Sequence, residues 1–251
     1  MAFRVKILRS EDPPDSFPDP AQAGVALGQP EGLLAVGGDL SPARLLAAYR
    51  TGLFPWYNED QPILWWSPDP RAIIYTRRFH MSRSLARTLK RDHWEFSLNA
   101  DFQQVIRGCA SSRGKYGTWI SEDMIAAYTH MHELGYAHSV ESWQDGELAG
   151  GIYGIRLGRM FFGESMFSRR SNGSKVALSA LIYECLRAGI EVLDCQMESS
   201  HLRSLGMEEV SRQEFASLLS DCVQEPVALP AWQISRRDAA SSTWAKPWDS
   251  S

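Results

Sequence analysis

Two tight-turn sequences that separate three strand-like segments constrain the fold of this chain more than any other feature. Asp145-Gly146 favours a hairpin turn after residues 138–143, and Leu157-Gly158-Arg159 supplies a second turn before residues 160–167. Connections this short join antiparallel neighbours, because parallel strands need a crossover of a dozen or more residues. The sequence therefore predicts a three-stranded antiparallel meander.

An amphipathic segment and a second apolar segment follow the predicted meander. Apolar residues recur at helical spacing between Val176 and Leu186, and Gly189 marks the end of this predicted helix. Residues 190–196 are apolar enough to form a buried strand, and Ser121 predicts the start of another helix before the meander. The order helix, three strands, helix, strand indicates a mixed α/β fold of the α+β class.

Two further helices are predicted from their caps. Ser41 is a favourable N-cap before Pro42, and Gly52 follows the end of that helix. Ser211 with Glu214 forms a capping box that begins a helix reaching about residue 222.

Two other segments lack a regular period. Residues 52–71 are rich in Pro, Trp and Asp, and we predict an ordered loop there, near a domain junction. The tail after Pro230 has no periodicity, and we predict that it is poorly ordered.

Length, charge and cysteine spacing narrow the functional class. At 251 residues, one large domain or two unequal domains are expected. A net charge of −4 is not that of a general nucleic-acid binder, so any RNA contact is expected to be local. The four cysteines contain no C-x-x-C pair, which argues against a cysteine zinc site. We also expect no membrane span and a cytoplasmic location, because no long apolar run and no secretory signal is present.

Several strings have a residue order that packing alone does not explain. They are Gly37-Gly38-Asp39-Leu40-Ser41-Pro42, Phe54-Pro55-Trp56, Trp65-Trp66-Ser67-Pro68-Asp69-Pro70-Arg71, Phe161-Phe162-Gly163-Glu164-Ser165-Met166-Phe167-Ser168 and Leu193-Asp194-Cys195-Gln196. In these strings the chain resembles the leucyl/phenylalanyl-tRNA–protein transferases, and the likeness extends from Phe17 to Phe215. The resemblance implies a small N-terminal α/β domain at residues 1–71. It also implies a GNAT-like acyltransferase domain at residues 72–251, with a mostly antiparallel central sheet.

The resemblance also implies an activity. The family moves Leu or Phe, and less readily Met, from aminoacyl-tRNA to the N-terminal α-amine of proteins that begin with Arg or Lys, which marks them for degradation. Because an aminoacyl ester is already activated, no ATP and no cofactor is expected. The expected partners are therefore aminoacyl-tRNA and the acceptor protein, and we expect the chain to act as a monomer.

Three polar residues are candidates for the chemistry. Alternation along a strand places Asp194 and Gln196 on one face, where the carboxylate can orient the amide, although a pair capping the strand end is an equally good interpretation from the residues alone. By resemblance these two residues are the catalytic pair, and Glu164 is the third catalytic candidate, which binds or orients a cationic acceptor. Three proton routes stay open: Asp194 as base, Gln196 as an orienting acceptor, or relay through the tRNA ribose.

The remaining candidates concern binding. Ile152, Phe161, Met166 and Leu181 are expected to wall the pocket for the Leu or Phe side chain, although each is more often ordinary core. Their grouping requires a bulge at Gly163, because strict alternation would place Phe162 and Glu164 with Met166. By resemblance, Trp56 and Trp119 lie near the 3′ adenosine.

Basic residues recur at helical spacing after Ser82 and are candidates for tRNA phosphate contacts: Arg83, Arg87, Lys90 and Arg91. Taken alone, this stripe is more often a solvated helix face.

Other enzyme classes lack their motifs. His130-Met131-His132-Glu133 does not reproduce the H-E-x-x-H zinc motif, so no metal is expected. Two alternatives stay open: a CoA-dependent N-acyltransferase of the same fold, and a non-catalytic tRNA-binding module. Residues 169–175 suit the pyrophosphate of CoA only weakly, and a binding module would not need Asp194, Gln196 and Glu164 together.

Overall fold

Two β-sheets organise the chain in the computed structural model, which describes residues 5–23, 30–111, 119–223, 232 and 234–238. The first sheet has the order β1-β2-β4-β3, and only the β1-β2 pair is parallel. Its strands are β1 (Lys6–Leu8), β2 (Leu33–Gly37), β3 (Phe54–Pro55) and β4 (Leu64–Trp66).

The second sheet is larger and carries the predicted meander. Its strands are β5 (Arg71–Tyr75), β6 (Glu95–Leu98), β7 (Ala137–Gln144), β8 (Glu147–Leu157), β9 (Met160–Ser168), β10 (Val192–Gln196), β11 (Glu208–Val210) and β12 (Ile234–Asp238). Their order is β11-β5-β10-β9-β8-β7-β6-β12, and β9-β10 is the parallel pair in a sheet that is otherwise antiparallel. The meander and the mixed α/β class are therefore confirmed.

The described helices include all five that the sequence predicts. They are α1 (Pro42–Arg50), α2 (Arg83–Arg91), α3 (Phe102–Ser111), α4 (Glu122–Glu133), α5 (Gly173–Arg187), α6 (Ser200–Arg203) and α7 (Arg212–Cys222). Serine N-caps begin α1, α2, α4 and α7, each accepting a hydrogen bond from a backbone N–H three residues on. The predicted capping box of Ser211 and Glu214 is present.

The larger sheet separates two hydrophobic clusters. The first cluster joins it to the small sheet, α1, α3 and α4, through residues such as Trp65, Tyr128 and Phe162. The second cluster lies under α2 and α5 and includes Phe161 and Leu181. Neighbouring residues on β9 therefore face different clusters, and this division determines what each side of the strand can bind.

Two expectations about irregular segments were wrong. Residues 52–71 are not only a loop, because β3 and β4 lie within them and extend the small sheet. Part of the tail beyond Pro230 is ordered, since β12 pairs with β6 at the edge of the larger sheet. The prediction of poor order also covers residues 231, 233 and 239–251, which lie outside the described residues. The domain boundary at residue 71 stays a prediction.

Within the described ranges, none of the helices combines the length and the apolar character needed to cross a lipid bilayer.

Candidate active site

Strand β10 ends in a bulge that brings its two polar residues into contact through the backbone. The pairing with β5 shifts between Asp194 and Gln196, and Gln196 has a left-handed φ of 64°. In this conformation the Gln196 backbone N–H donates a 2.9 Å hydrogen bond to Oδ1 of Asp194. The carboxylate therefore stabilises a backbone conformation that a residue with a side chain seldom adopts.

Asp194 is paired with Arg71, a residue that the sequence analysis did not select. Nε and Nη2 of Arg71 donate to the two carboxylate oxygens at 2.9 and 2.7 Å, and the exposed fractions of the two side chains are 1% and 0%. This is the planar two-bond geometry that makes an arginine–carboxylate pair specific. Arg71 follows the cis peptide bond Asp69-Pro70 at the start of β5.

Aromatic rings enclose the Arg71 guanidinium. Its central carbon lies 4.8 Å from the ring centre of Phe54 and 4.5 Å from that of Phe215, and Nη1 donates to the carbonyl of Gly52. The small sheet, β5 and α7 thus meet at one cation. We had expected Asp194 to orient the Gln196 amide or to act as a base, but the structure shows a buried ion pair that contacts the Gln196 backbone.

Strand β9 contains the bulge that the grouping of pocket residues requires. Tyr153 pairs with Ser165 and Gly154 pairs with Gly163, so Glu164 is the extra residue between them. The bulge changes the alternation, so Phe162 and Glu164 face the first hydrophobic cluster, while Phe161 and Met166 pack against the second. The predicted bulge beside Gly163 is confirmed.

Three donors surround the Glu164 carboxylate. The hydroxyl of Tyr49 donates to Oε1 at 2.7 Å, that of Tyr128 donates to Oε2 at 3.0 Å, and Nε2 of Gln196 donates to Oε1 at 3.1 Å. The two hydroxyls also contact each other. We had expected Glu164 to bind a cationic acceptor, whereas the described structure gives it two phenols and an amide as partners.

The roles of the two tyrosines are not predicted by the sequence patterns. Tyr49 lies on α1 and Tyr128 on α4, and both are fully buried. A buried tyrosine hydroxyl needs a hydrogen-bond partner, which was the available signal, but the sequence does not show that both hydroxyls meet the same carboxylate.

Burial sets the protonation of this group. It is the main reason that the pKa of Glu164 rises from 4.5 to about 7, and the negative charge of Asp194 adds to it, while the two tyrosine hydrogen bonds and Arg71 act in the opposite direction. The pKa values of Tyr49 and Tyr128 are raised well above 10 by burial and by the nearby Glu164 charge. Both phenols therefore stay protonated and act as donors at neutral pH.

The Gln196 side chain is the part of this network that reaches the surface. Because Nε2 faces the acceptor oxygen of Glu164, the amide is oriented with Oε1 pointing away from the carboxylate. Gln196 is half-buried, and its Oε1 has no protein partner among the described residues. The arrangement presents one oriented acceptor beside a carboxyl group that titrates near neutrality.

The expected aminoacyl-pocket residues lie together on the other side of β9. Ile152, Phe161 and Leu181 belong to the second hydrophobic cluster, and Met166 packs against it half-buried. Three of the four are therefore core residues, and Met166 is the partly exposed member of the group.

The expected adenosine-binding and tRNA-binding residues lie in separate places. Trp56 is 38% exposed and packs against Trp66, while Trp119 is 9% exposed. Tyr57, which follows Trp56, and Ser121, two residues after Trp119, line the same surface pocket. The four basic residues of α2 are all exposed, and no described carboxylate lies within ion-pair distance of them.

In the described part of the chain, no three His, Cys, Asp or Glu side chains lie close enough together to bind a metal ion.

Comparison with known proteins gives a consistent result along most of the chain. Residues 73–220 match the family model described as leucyl/phenylalanyl-tRNA protein transferase, and residues 38–69 match that of the family's N-terminal domain. A transferase of this name from Nitrosospira multiformis is 54% identical over 79% of this chain and 86% of its own length. One from Aromatoleum aromaticum is 54% identical over 87% and 93%.

A third relative extends the match to nearly the full length. The leucyl/phenylalanyl-tRNA–protein transferase of Nitrosomonas eutropha is 46% identical over 96% of this chain and 99% of its own. The solved C-terminal domain of a putative lysylphosphatidylglycerol synthetase from Agrobacterium fabrum aligns with 65% of this chain and 55% of its own, with 16% identity and a TM-score of 0.35. From the family models and these relatives, the chain belongs to the leucyl/phenylalanyl-tRNA–protein transferases.

Proposed function

We propose that this aminoacyltransferase moves Leu or Phe, and less readily Met, from aminoacyl-tRNA to the α-amine of proteins that begin with Arg or Lys, marking them for degradation. It acts as a monomer in the cytoplasm and needs no cofactor. The main support for the proposed chemistry is the orientation of the Gln196 amide. Its Nε2 donates a hydrogen bond to Glu164, and its Oε1 has no partner among the described residues. Family membership favours this activity over a CoA-dependent acyltransferase or a non-catalytic tRNA-binding module.

Gln196 orients the nucleophile. Its carbonyl oxygen accepts a hydrogen bond from the acceptor α-amine and directs the nitrogen lone pair at the ester carbonyl carbon. The new bond is C–N, the bond that breaks joins that carbon to the ribose oxygen, and the ribose oxygen leaves with a proton. The amine has a pKa of about 7.7–8.0, so a useful fraction is neutral at pH 7 and little activation is needed.

Glu164 accepts the proton that the amine loses. Oε1 already accepts two hydrogen bonds and Oε2 accepts one, so Oε2 keeps an unused lone pair. A pKa of about 7 lets this group gain and release a proton near neutral pH, which is the range that general base catalysis favours. The protonated group then returns the proton to the leaving ribose oxygen.

Asp194 and Arg71 act as positioning residues. The Arg71 and Asp194 side chains are 1% and 0% exposed, against 8% for Glu164, so we assign contact with the substrate to Glu164, beside Gln196, and not to this pair. Asp194 holds the Gln196 backbone, and Arg71 holds Asp194 in the correct rotamer through two hydrogen bonds. The pair also places a fixed negative charge near Glu164, which contributes to its raised pKa.

The substrate-binding residues keep the assignments that the family likeness implies. Ile152, Phe161, Met166 and Leu181 receive the apolar side chain of the donor, which fits their common cluster. Trp56 and Trp119 stack on or beside the 3′ adenosine, an interaction of about 1–3 kcal/mol per stacked base. Arg83, Arg87, Lys90 and Arg91 contact acceptor-stem phosphates, and their exposure without described carboxylate partners leaves them available.

The test is peptide transfer followed by single-turnover kinetics. We expect a peptide beginning with Arg or Lys to gain the mass of one Leu or Phe residue from the charged tRNA, and a matched peptide beginning with Ala to react much more slowly. Gln196→Ala is expected to reduce the single-turnover rate about 100-fold without weakening tRNA binding, because the amine loses its orientation.

Gln104→Ala is the matched control, since Gln104 is an exposed glutamine on α3 whose described side-chain bond is to Asp101. Equal transfer to all three peptides would contradict the proposed acceptor preference. A wild-type single-turnover rate for Gln196→Ala would remove Gln196 from the mechanism.

A further inference from the structure

Residues near the C-terminus of the described chain pack against the second hydrophobic cluster. Strand β12 pairs with β6, and its first residue, Ile234, is buried in that cluster. The guanidinium of Arg236 lies 3.6 Å from the ring centre of Trp143, which adds a contact on the opposite side of the strand. Two residues before β12, the carbonyl of Trp232 accepts a hydrogen bond from the Asn99 side chain. These contacts hold Trp232 against the sheet.

The Trp232 ring covers three side chains. It meets the ring of Phe161 edge-on at 6.0 Å between centres and the ring of His138 at 5.2 Å, and the Arg156 guanidinium lies 4.8 Å from its centre. Phe161 is the residue of this group that is expected to wall the aminoacyl pocket. Trp232 therefore lies behind a pocket wall.

The Phe161 ring lies across one face of β8, between the side chains of Ile152 and Arg156. Ile152, Gly154 and Arg156 are at alternate positions and share one face of the strand. A Cβ at Gly154 would lie 2.5 Å from Cε1 of Phe161, so the Phe161 ring lies over this glycine. Ile152 and its partner Met166 are on one side of that ring, and Arg156 with Trp232 is on the other.

The buried guanidinium of Arg156 also stabilises the position of the Trp232 ring. Only 3% of the arginine is exposed, its Nε has no hydrogen-bond partner in the described structure, and it forms no ion pair with a described carboxylate. The guanidinium lies over the face of the Trp232 ring, and such a cation–π contact strengthens when the cation is desolvated. Burial and the nearby Arg156 charge lower the pKa of His138 to about 3, so no second positive charge is present there.

We propose that Trp232 is a specificity-determining residue, which holds the Phe161 ring from behind and so limits the length of the donor side chain that the aminoacyl pocket accepts. This inference rests on the proposed function, because it assumes that Phe161 lines that pocket. With Trp232 present, Phe161 cannot swing toward Arg156. Removing the indole opens space along β8, and a longer side chain such as Phe gains room that Leu does not use.

The experiment is a competition between Leu-tRNA and Phe-tRNA for one acceptor peptide, with the two products separated by mass. The measured quantity is the ratio of Phe transfer to Leu transfer. We expect Trp232→Ala to raise this ratio about tenfold, within the range that one or two methylene groups produce in an apolar pocket. Trp232→Phe keeps an edge-on aromatic contact with Phe161 and is expected to retain the wild-type ratio.

Arg236→Ala controls for a loosened tail, because it removes the contact with Trp143 but leaves the Trp232 ring against Phe161. Its ratio should equal that of the wild type. If Trp232→Ala does not fold, judged by thermal unfolding, Trp232→Leu keeps apolar cover without a ring and decides the question by the same ratio.

The possible results distinguish the role of Trp232 from the proposed aminoacyl transfer. An active Trp232→Ala or Trp232→Leu protein with an unchanged ratio would overturn the role of Trp232 and leave the proposed function intact. Failure of the wild-type protein to transfer either residue would instead overturn the proposed function, and with it the inference.

Discussion

The site contains two buried carboxylates, Asp194 and Glu164, whose charges are stabilised in different ways. Asp194 has a guanidinium on both oxygens, and aromatic rings enclose that guanidinium. The donors to Glu164 among the described residues are all neutral, and its pKa rises to about 7. The comparison shows how one site can hold an ion-paired carboxylate for positioning and a second carboxyl group for proton transfer. The difference comes from their partners, a guanidinium for Asp194 and neutral donors for Glu164.

The largest effect is expected from breaking the ion pair. Arg71→Ala leaves the Asp194 carboxylate buried without its cation, which should lower the free energy of unfolding by about 3–5 kcal/mol. Urea unfolding at pH 7 measures this change. The double variant Arg71→Ala with Asp194→Ala is the control, since it removes the stranded charge and should recover part of the loss. A loss below about 1 kcal/mol for Arg71→Ala would show that Asp194 is solvated in solution.

A smaller effect is expected from the pH dependence of Glu164. The folded protein holds this proton up to a pKa of about 7, whereas the ordinary value is 4.5. The folded state therefore binds more protons between pH 4.5 and 7, and stability falls as the pH rises through that window. Glu164→Gln should remove this pH-dependent loss of stability. We expect the loss to be about 2 kcal/mol, which is less than the full pKa shift would give, because the protein relaxes around the buried carboxylate.

Urea unfolding of the wild type and of Glu164→Gln at pH 4.5 and pH 8 measures the difference. The same variant should lose the rising limb of the transfer rate that is centred near pH 7, because the amide cannot accept the proton. Parallel stability curves for the two proteins would contradict the raised pKa of Glu164.

The smallest effect is expected from single phenol hydroxyls. Tyr49→Phe removes the 2.7 Å hydrogen bond to Oε1 of Glu164 and should cost about 1.5 kcal/mol at pH 8, where the carboxylate is ionised. Tyr128→Phe removes the longer bond of 3.0 Å and is the matched comparison, with an equal or smaller cost. Both should move the pH midpoint of the transfer rate upward, because the charged form of Glu164 loses a donor. A downward shift in either variant would exclude the assigned direction of these bonds.

Local patterns in the sequence predicted the secondary structure around the site. The meander, the helix α5 and the strand β10 follow from turn residues and hydrophobic period, which act over a few neighbouring positions. Serine N-caps located the starts of α1, α4 and α7 for the same reason, and the helical spacing of basic residues indicated α2. Strand β12 was missed because Ile234 and its neighbours are ordinary in isolation, and only the free edge of β6 orders them.

The residues that bind the predicted site residues could not be predicted from local sequence patterns. Arg71 lies 123 positions from Asp194, and Tyr49 lies 115 positions from Glu164. Family resemblance indicated Asp194, Gln196 and Glu164 but not which groups bind them. Their catalytic roles stay predictions that the kinetic experiments address.

The sequence by itself determined the meander, the helices α1, α2, α4, α5 and α7, the strand β10 and the family to which the chain is similar, since propensities, caps and turns depend on adjacent residues. Only the tertiary structure decided that Glu164 projects from a bulge onto two phenols, that Gln196 turns its amide nitrogen toward this acid, and that Asp194 is enclosed with Arg71. Hydrogen bonds and burial between distant segments set these contacts and the pKa of Glu164, and both arise only when the two sheets and the helices α1 and α4 pack together.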